Sequence, residues 1–341
     1  MPRPESNPRN PYVSQYVEWE EGAPPIELHV LEEDARSVLS ENDSPDVGFR
    51  WSVNPYRGCQ HACAYCYARP SHQYLGLGAG TDFDTRIVVK RNAPELLALE
   101  LARSSWRRER VAFSGITDCY QPLESRYELT RRCLEVCFAR ATPVTVITKS
   151  AVARRDAALL AKHSRELGST VYVSIPFADA ELARAIEPFA PAPALRFETL
   201  RVLAAAGATC GVMVAPIVPG LSDDQIPRVL EGAARAGATR AARIALRLPL
   251  EVAPVFEERL RALLPLRADK VLHAVEEMRG GKRNDSRFGA RMRGQGPRWR
   301  MIEQLFDVHC RRLGLATRAA NFAPSERAGG APSGQLELFD T

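Results

Sequence analysis

The chain has 341 residues, which is enough for one large α/β domain or two domains of average size. It is 45% hydrophobic and 26% charged, so a sizeable core is expected, and no run of about 18 apolar residues predicts a membrane span. The polar, proline-rich start lacks the pattern of a secretion signal, and the sequence therefore predicts a cytoplasmic protein. The formal charge of +5 permits a nucleic-acid partner without requiring one.

An irregular N-terminal arm is predicted over residues 1–48, because residues 1–25 hold six prolines and no apolar periodicity. Six short apolar or β-branched runs then predict buried strands at 49–56, 110–118, 143–150, 170–176, 209–220 and 242–249. Amphipathic stretches predict helices at 93–105, 130–141, 154–167, 194–207 and 223–237. This alternation requires parallel strands with right-handed crossovers, in either a barrel or an open doubly wound sheet.

The predicted α/β core occupies residues 49–265, and its functional groups are expected at the carboxyl ends of the strands. A C-terminal extension, 266–320, contains a basic Arg- and Gly-rich loop and a further helix at 299–315. Residues 321–341 form a low-complexity tail. The sequence thus predicts four segments, of which the core carries the chemistry.

Three cysteines follow the first predicted strand within eight residues: Cys59, Cys63 and Cys66. In a reducing compartment such a group indicates metal or redox chemistry rather than disulfides. A structural zinc ion needs four ligands, and the fourth would have to be His61, His72 or a distant cysteine. A cluster of four irons and four sulfides held by three cysteines leaves one iron open to an external ligand. The spacing leaves three interpretations of these cysteines: an iron–sulfur cluster, a zinc site, or buried cysteines without a ligand.

The pattern Cys59-x3-Cys63-x2-Cys66, with Tyr65 before the third cysteine, resembles the signature of radical S-adenosylmethionine (SAM) enzymes. The six βα units, over roughly residues 50–250, resemble the partial (β/α)6 barrel of that superfamily. The resemblance implies that the three thiolates hold a 4Fe-4S cluster whose open iron binds SAM. It further implies reductive cleavage of SAM to a 5′-deoxyadenosyl radical, with an electron donor such as flavodoxin or ferredoxin.

The same resemblance implies cofactor-binding roles at several strand ends. Many members carry a Gly-Gly-Glu that binds the SAM amino group where this chain has residues 114–118, so Thr117 or Asp118 would supply that contact. A cation at a strand end fits the SAM carboxylate, although a solvated turn lysine is the alternative for Lys149. Ordinary strand-end packing is the alternative for Ser174 and Ile217. The implied cofactor-binding residues are Tyr65, Ser114, Thr117, Asp118, Lys149, Ser174 and Ile217.

Further motifs resemble the spore photoproduct lyase and DNA-photolyase-like branch: Tyr65-Cys66-Tyr67, the turn at 116–118, the TKS at 148–150 and the helix at 155–163. Members that repair a thymine dimer return hydrogen from a cysteine three residues before the strand-two Asp, where this chain has Gly115. Cys119 and Tyr67 are therefore the candidate catalytic residues, with Cys119 as a displaced hydrogen donor. The alternative for Cys119 is a small packing residue.

Two C-terminal features point to nucleic acid. Residues Arg279 to Arg300 carry eight basic side chains and one acid, Asp285, interleaved with Phe288 and Trp299, which suits phosphate contacts and base stacking. A solvated arginine-rich loop is the alternative. The sequence from Gln335 to Phe339 resembles the short peptide by which bacterial repair and replication proteins bind the sliding clamp. The alternative for this sequence is a frayed tail.

The sequence therefore predicts a radical SAM enzyme, lyase-like or transferase-like, that repairs or modifies DNA or another nucleic acid. One alternative is a radical SAM enzyme that acts on a small molecule or a peptide. The other is a non-enzymatic, zinc-binding module associated with DNA.

Overall fold

A computed structural model describes residues 5–14 and 25–317 of the chain. Its strands are β1 (His29–Glu33), β2 (Leu39–Glu41), β3 (Trp51–Val53), β4 (Tyr56–Arg57), β5 (Arg86–Lys90), β6 (Val111–Phe113), β7 (Val144–Thr148), β8 (Thr170–Ser174), β9 (Cys210–Ile217), β10 (Arg240–Ala245) and β11 (Ala316–Thr317). Its α-helices are α1 (Thr81–Thr85), α2 (Ala93–Glu100), α3 (Glu124–Tyr127), α4 (Leu129–Ala139), α5 (Ala157–Leu167), α6 (Ala180–Ile186), α7 (Pro193–Ala205), α8 (Ile226–Arg235), α9 (Val252–Leu263), α10 (Pro265–Met278) and α11 (Gly296–Arg312). Short 3-10 helices span Arg69–Leu75, Ala151–Asp156 and Asp223–Gln225.

The main sheet is built from six parallel strands in the order in which they occur along the chain: β3, β6, β7, β8, β9 and β10. β2 extends it antiparallel to β3 at one edge, and β11 extends it parallel to β10 at the other. Helices separate the later parallel strands, as the alternating sequence pattern predicts. The fold is the partial (β/α)6 barrel of the sequence-based prediction, which is confirmed.

Burial explains why the central strands could be found from the sequence. Every residue of β8 is buried, and β7 is buried at all but one position, so these strands read as continuous β-branched and apolar runs. The largest hydrophobic cluster lies between the sheet and its helices, with Phe113, Val146 and Leu200 fully buried. The core therefore holds the strand ends, and the side chains that follow them, in fixed positions.

A second, three-stranded sheet in the order β1-β5-β4 lies beside the cysteines. The sequence analysis did not predict β5, and β1 and β2 fall in the range that it predicts as an irregular arm. β1 is largely exposed, so its sequence carries no strong alternation, and its strand conformation comes from parallel pairing with β5. The region between residues 25 and 48 is thus less irregular than the composition indicates.

The C-terminal extension is part of the folded molecule. α11 packs its buried face, which includes Trp299, Ile302 and Phe306, into the main hydrophobic cluster. Among the described residues, no helix is both long and apolar enough to cross a membrane. The peptide from Gln335 to Phe339, for which clamp binding is predicted, lies outside the described residues.

Candidate active site

The three cysteines lie on a loop, here called the cysteine loop (residues 58–68), between β4 and the 3-10 helix Arg69–Leu75. Successive tight turns shape it: the amide of Ala62 donates to the carbonyl of Cys59, and the amide of Cys66 to the carbonyl of Cys63, both at 3.2 Å. The amide of Cys59 donates to the carbonyl of Phe83 at 2.9 Å, which fixes the start of the loop. Backbone hydrogen bonds therefore fix the course of the loop that carries the three thiols.

Gly58 begins the loop in the left-handed backbone region, with φ of +77°. A Cβ at this position would lie 2.9 Å from each of three atoms: His72 Cε1, Ile87 Cδ1 and the carbonyl oxygen of Phe83. Both the backbone conformation and the close packing require glycine here. The chain thus enters the cysteine loop through a position that tolerates no side chain.

The three thiols lie on one loop, two of them buried and that of Cys66 partly exposed. Cys59 and Cys63 are each 7% exposed, and all three cysteines are free. Burial raises the pKa of Cys59 well above its usual range, and the neighbouring Asp118, Cys63 and Cys66 raise it further. Burial also raises the pKa of Cys63 to about 12 and raises that of Cys66, although Lys149 opposes both shifts. Three such thiols become thiolates readily only when a cation stabilises them.

The donor set fits a multi-iron cluster by its chemistry, since a cubane takes one thiolate on each of several irons. Three soft sulfur donors on one rigid loop match that requirement. Across residues 5–14 and 25–317, no group of three or more His, Cys, Asp or Glu side chains is placed to hold a single metal ion.

Asp118 joins the cysteine loop to the next two strands. Its Oδ2 lies 3.3 Å from Nδ1 of His61 and accepts from the amide of Lys149 at 2.7 Å, and its Oδ1 accepts from the hydroxyl of Thr148 at 2.7 Å. Burial would raise the pKa of Asp118, but His61 and the hydrogen bonds from Lys149 and Thr148 outweigh it and lower the pKa to about 2. The carboxylate therefore stays charged while it holds three chain segments together.

A second charged group follows the loop on its other side. The Tyr65 hydroxyl donates to the buried carboxylate of Glu187, which also pairs with Arg196 at 2.5 Å. The ammonium of Lys149 lies 3.9 Å from Glu187 and 5.7 Å from the centre of the Tyr65 ring. Burial would lower the pKa of Lys149, but Cys63 and Glu187 raise it on balance. Lys149 is thus a fixed, mostly buried cation that faces the cysteines.

The remaining candidate cofactor-binding residues lie at the strand ends, where they were predicted, and several are engaged within the protein. The hydroxyl of Thr117 donates to the carbonyl of Gly58 at 2.6 Å, and that of Ser114 accepts from the amide of Cys119 at 3.0 Å. The hydroxyl of Ser174 donates to the carbonyl of Ala215 at 3.1 Å. Ile217, the last residue of β9, is fully buried in the main cluster. Their contacts to a cofactor stay predictions.

The two candidate catalytic residues have different surroundings. Cys119 is fully buried in the main hydrophobic cluster, which is the packing position that the sequence leaves as the alternative to a hydrogen donor. Tyr67 is 49% exposed, and its hydroxyl donates to the carbonyl of Gly115 at 2.5 Å. Gly115 is the position at which the dimer-repairing relatives are expected to carry cysteine. Tyr67 therefore stands at the surface of the site, next to that position.

Part of the basic segment lies beside Tyr67. The guanidinium of Arg247, just beyond β10, lies 5.4 Å from the Tyr67 ring, and Nη1 of Arg247 lies 3.3 Å from Sδ of Met292. In that segment, Arg291 lies 4.4 Å from the ring of Phe288, which is 62% exposed. The basic segment therefore packs at the same end of the barrel as the cysteines.

Not every residue of that segment is available to a ligand. Arg279 is buried and donates to the carbonyls of Leu246, Ala290, Arg291 and Arg293, so it holds the loop in shape. Trp299 is 3% exposed, and residues from Gly296 onward belong to α11, contrary to the expectation of an irregular stretch with a stacking tryptophan. The helix predicted at 299–315 is present, and it begins three residues earlier than predicted, at Gly296.

The sequence analysis missed Glu187 and Arg196. They lie nine residues apart across a loop that contains three prolines, and nothing in this spacing indicates a pair. Both are at most 1% exposed, and a buried carboxylate requires a partner, but burial is a property of the tertiary structure.

The chain is thus a parallel α/β barrel with a cysteine loop that follows β3 and β4. The chain matches the family model of the radical SAM superfamily over residues 53–233, which is more than half of its length. It belongs to that superfamily, whose members use SAM and a 4Fe-4S cluster.

The most similar curated relatives include an uncharacterised protein of Mycobacterium tuberculosis, 45% identical over 193 residues, or 56% of this chain and 57% of that protein. An uncharacterised protein of Methanocaldococcus jannaschii is 30% identical over 58% of this chain and 70% of that protein. The chain thus matches somewhat more than half the length of the mycobacterial relative.

Among solved structures, the chain is similar to spore photoproduct lyase complexed with dinucleoside spore photoproduct, with a TM-score of 0.59 and 18% identity. The aligned region covers 84% of this chain and 81% of the lyase chain. Another structure of that lyase, a mutant with bound AdoMet and the same dinucleoside, has the same TM-score. At this level of identity the likeness concerns the fold, which is shared over most of the chain.

Proposed function

We propose that this protein is a radical SAM enzyme that holds a 4Fe-4S cluster on Cys59, Cys63 and Cys66 and acts on DNA or another nucleic acid. The observation that carries the proposal is the position of three thiols, two buried and one partly buried, on one hydrogen-bonded loop beside a surface with arginines and exposed aromatic rings. When bound, the cluster and SAM supply one-electron, hydrogen-abstracting chemistry.

The residues of this chain contribute charge and position. Lys149 offers a cation that attracts a carboxylate, and the Glu187–Arg196 pair fixes the Tyr65 ring beneath it. Asp118 fixes the strand ends on the other side of the cysteine loop. These groups are already oriented by contacts within the protein, so a bound cofactor would meet a preorganised site.

The surface beside the site supports nucleic acid as the substrate class. Tyr67 and Phe288 are 49% and 62% exposed, and each lies next to a guanidinium, from Arg247 and Arg291 respectively. Exposed rings stack on bases, and arginines contact phosphates. Among the described residues Arg247 makes no ion pair, so its charge is available to an anion.

Cluster binding is tested by iron and sulfide analysis of protein prepared without oxygen. Replacing Cys59, Cys63 or Cys66 with Ala should abolish the cluster, because each thiolate holds a separate iron. The matched control is Cys210→Ala. Cys210 is buried in β9 within the main hydrophobic cluster, so this variant should keep its full iron content. Full iron content in any of the three loop variants contradicts the proposal.

Nucleic-acid binding is tested by its salt dependence. The triple replacement of the exposed residues Lys282, Arg293 and Arg300 with Gln should weaken binding to all DNA sequences, and the slope of log K against log salt should fall by about 0.7–0.9 for each lost phosphate contact. The control replaces exposed arginines before β6 and β8, at the opposite end of the barrel: Arg107, Arg108 and Arg165. Equal slopes in all three proteins would favour a small-molecule or peptide substrate.

The substrate of the reaction is tested by following hydrogen abstraction. Incubation of the loaded enzyme with SAM, reductant and deuterated candidate DNAs should move label into 5′-deoxyadenosine when the right substrate is present. Four further points stay predictions: a lyase-like or transferase-like reaction, an electron donor such as flavodoxin or ferredoxin, a cytoplasmic location and the boundaries of the four segments.

A further inference from the structure

Three charged side chains lie buried behind the cysteine loop: Arg69, Asp84 and Arg259, here called the buried charge triad. Arg69 is fully buried, and Asp84 and Arg259 are 4% and 7% exposed. Oδ1 of Asp84 accepts from Nη2 of Arg69 at 2.8 Å, and Oδ2 accepts from Nη2 of Arg259 at 2.6 Å. One carboxylate thus bridges two guanidiniums that come from distant parts of the chain, the 3-10 helix after the loop and α9.

Both guanidiniums also bind the backbone of the cysteine loop. Nε and Nη2 of Arg69 donate to the carbonyl of Cys63 at 3.1 and 2.8 Å, and Nη1 of Arg259 donates to the carbonyl of Ala62. Nη1 of Arg69 donates in addition to the carbonyls of Ala79 and Gly80. The triad therefore clamps the middle of the loop, between the first and third cysteines, against the segment that carries Asp84.

The triad carries two positive charges and one negative charge, a net formal charge of +1 next to the thiols. Arginine keeps its charge under all ordinary conditions. A buried charge is poorly screened, so it acts on its neighbours more strongly than a surface charge does.

We propose that the buried charge triad is a positioning and potential-setting element, which fixes the cysteine loop and raises the reduction potential of the cluster bound there. The proposal rests on the cluster of the proposed function. Reduction adds negative charge to a cluster, and nearby net positive charge stabilises the reduced state. The potential should then follow the net charge of the triad, whereas a purely structural clamp would affect only loop order and metal retention.

The test measures the midpoint potential of the loaded protein by redox titration followed by electron paramagnetic resonance. Arg259→Gln lowers the net charge of the triad and should lower the potential, and Asp84→Asn raises the net charge and should raise the potential. Arg259→Lys keeps the charge while losing the planar fork, so its potential should stay near that of the wild type. Arg243→Gln is the distant control, because Arg243 pairs with Asp307 of α11 and should not affect the cluster.

Iron content and thermal unfolding are measured on each variant, because breaking a buried ion network costs stability. If Asp84→Asn does not fold, the comparison of Arg259→Gln with Arg259→Lys decides. Potentials that do not move, or that move in the same direction in Arg259→Gln and Asp84→Asn at full iron content, overturn the inference and leave the proposed function intact. A wild-type protein without iron and sulfide overturns the proposed function itself.

Discussion

Asp118 shows how much of this site depends on single side chains. Its two oxygens contact the cysteine loop through His61, the end of β7 through Thr148 and the amide of Lys149, and the amide of Tyr120 at 2.9 Å. Buried carboxylates with this many donors favour the charged form. Because these contacts need the charge, the contribution of Asp118 to stability depends on pH.

Asp118→Asn should reduce the free energy of unfolding at pH 7 by roughly 2 kcal/mol, the value that corresponds to the fall of the pKa from 3.8 to about 2. A lowered pKa stabilises the fold above the unfolded-state value, and this stabilisation is lost as the pH falls towards 2. The difference between wild type and variant in urea unfolding should therefore shrink between pH 5 and pH 2.

The control for this measurement is Asp269→Asn, since the side chain of Asp269 is 85% exposed in its pair with Arg261 and surface pairs contribute little. A difference between wild type and Asp118→Asn that does not change with pH would contradict the role given to the charge of Asp118.

The sequence predicted those site residues that lie within one local pattern. The cysteine loop was predicted because its three thiols are close along the chain, and Lys149 was predicted because it follows a clear strand. Glu187, Arg196, Asp84 and Arg259 were not found, because their pairing joins segments far apart and no local spacing encodes it. Their importance follows from burial, which only the fold creates.

At the scale of elements, the short helix α1 is held by the N-terminal segment. The side-chain oxygen of Asn7 accepts from the amides of Gly80 and Asp82 at 3.2 and 3.1 Å, and the carbonyl of Ser6 accepts from the amide of Thr81 at 2.9 Å. The first amides of a helix lack partners within it, and here a distant segment supplies them. α1 carries Asp84, so this cap helps to position the buried charge triad behind the cysteine loop.

Asn7→Ala should therefore lower the free energy of unfolding by about 1 kcal/mol, as the loss of a helix cap does. It should also make the segment at residues 5–14 more sensitive to limited proteolysis. Asn7→Asp keeps the accepting oxygen and should behave like the wild type. Equal stability and equal cleavage of Asn7→Ala and the wild type would show that the segment does not cap α1 in solution.

Burial separates the predicted strands β7 and β8 from the missed β1, but not from the missed β5, α9 and α10. β7 and β8 are buried on both faces and were found from their composition, whereas the exposed β1 depends on its neighbour β5. α9 and α10, which follow β10, lie where no element was predicted, although each has a regular buried face. Strong local patterns were enough for the barrel strands and β1 required its pairing with β5, whereas the helical spacing of α9 and α10 is a local signal that the prediction did not use.

At the scale of the whole molecule, the C-terminal extension completes the barrel sheet. β11 pairs with β10, and the guanidinium of Arg243 in β10 pairs with Asp307 of α11 at 2.5 Å. Phe306 of α11 packs in the main cluster, 4.7 Å from the guanidinium carbon of Arg243. Residues up to 317 therefore contribute to the stability of the core, and a truncation within α11 should unfold it.

Removal of residues 318–341 should have a different effect. The deletion should leave iron content and SAM cleavage unchanged, because the cysteine loop and the buried charges behind it lie within residues 58–263. It should abolish binding to purified bacterial sliding clamp, which the sequence from Gln335 to Phe339 predicts. The point variant Leu338→Ala with Phe339→Ala should reproduce this loss in calorimetry. Absence of clamp binding by the full chain would show that the motif is a coincidence.

The raised thiol pKa values have a consequence for the newly made protein. Oxidation by air or by a disulfide proceeds through the thiolate, and burial raises the pKa values of Cys59, Cys63 and Cys66, which favours the protonated thiols. Before any metal arrives, the loop should therefore react slowly with oxidants and alkylating reagents. Cluster insertion must in turn remove the protons of the three thiols. Slow oxidation should therefore keep the loop competent to receive a cluster after synthesis.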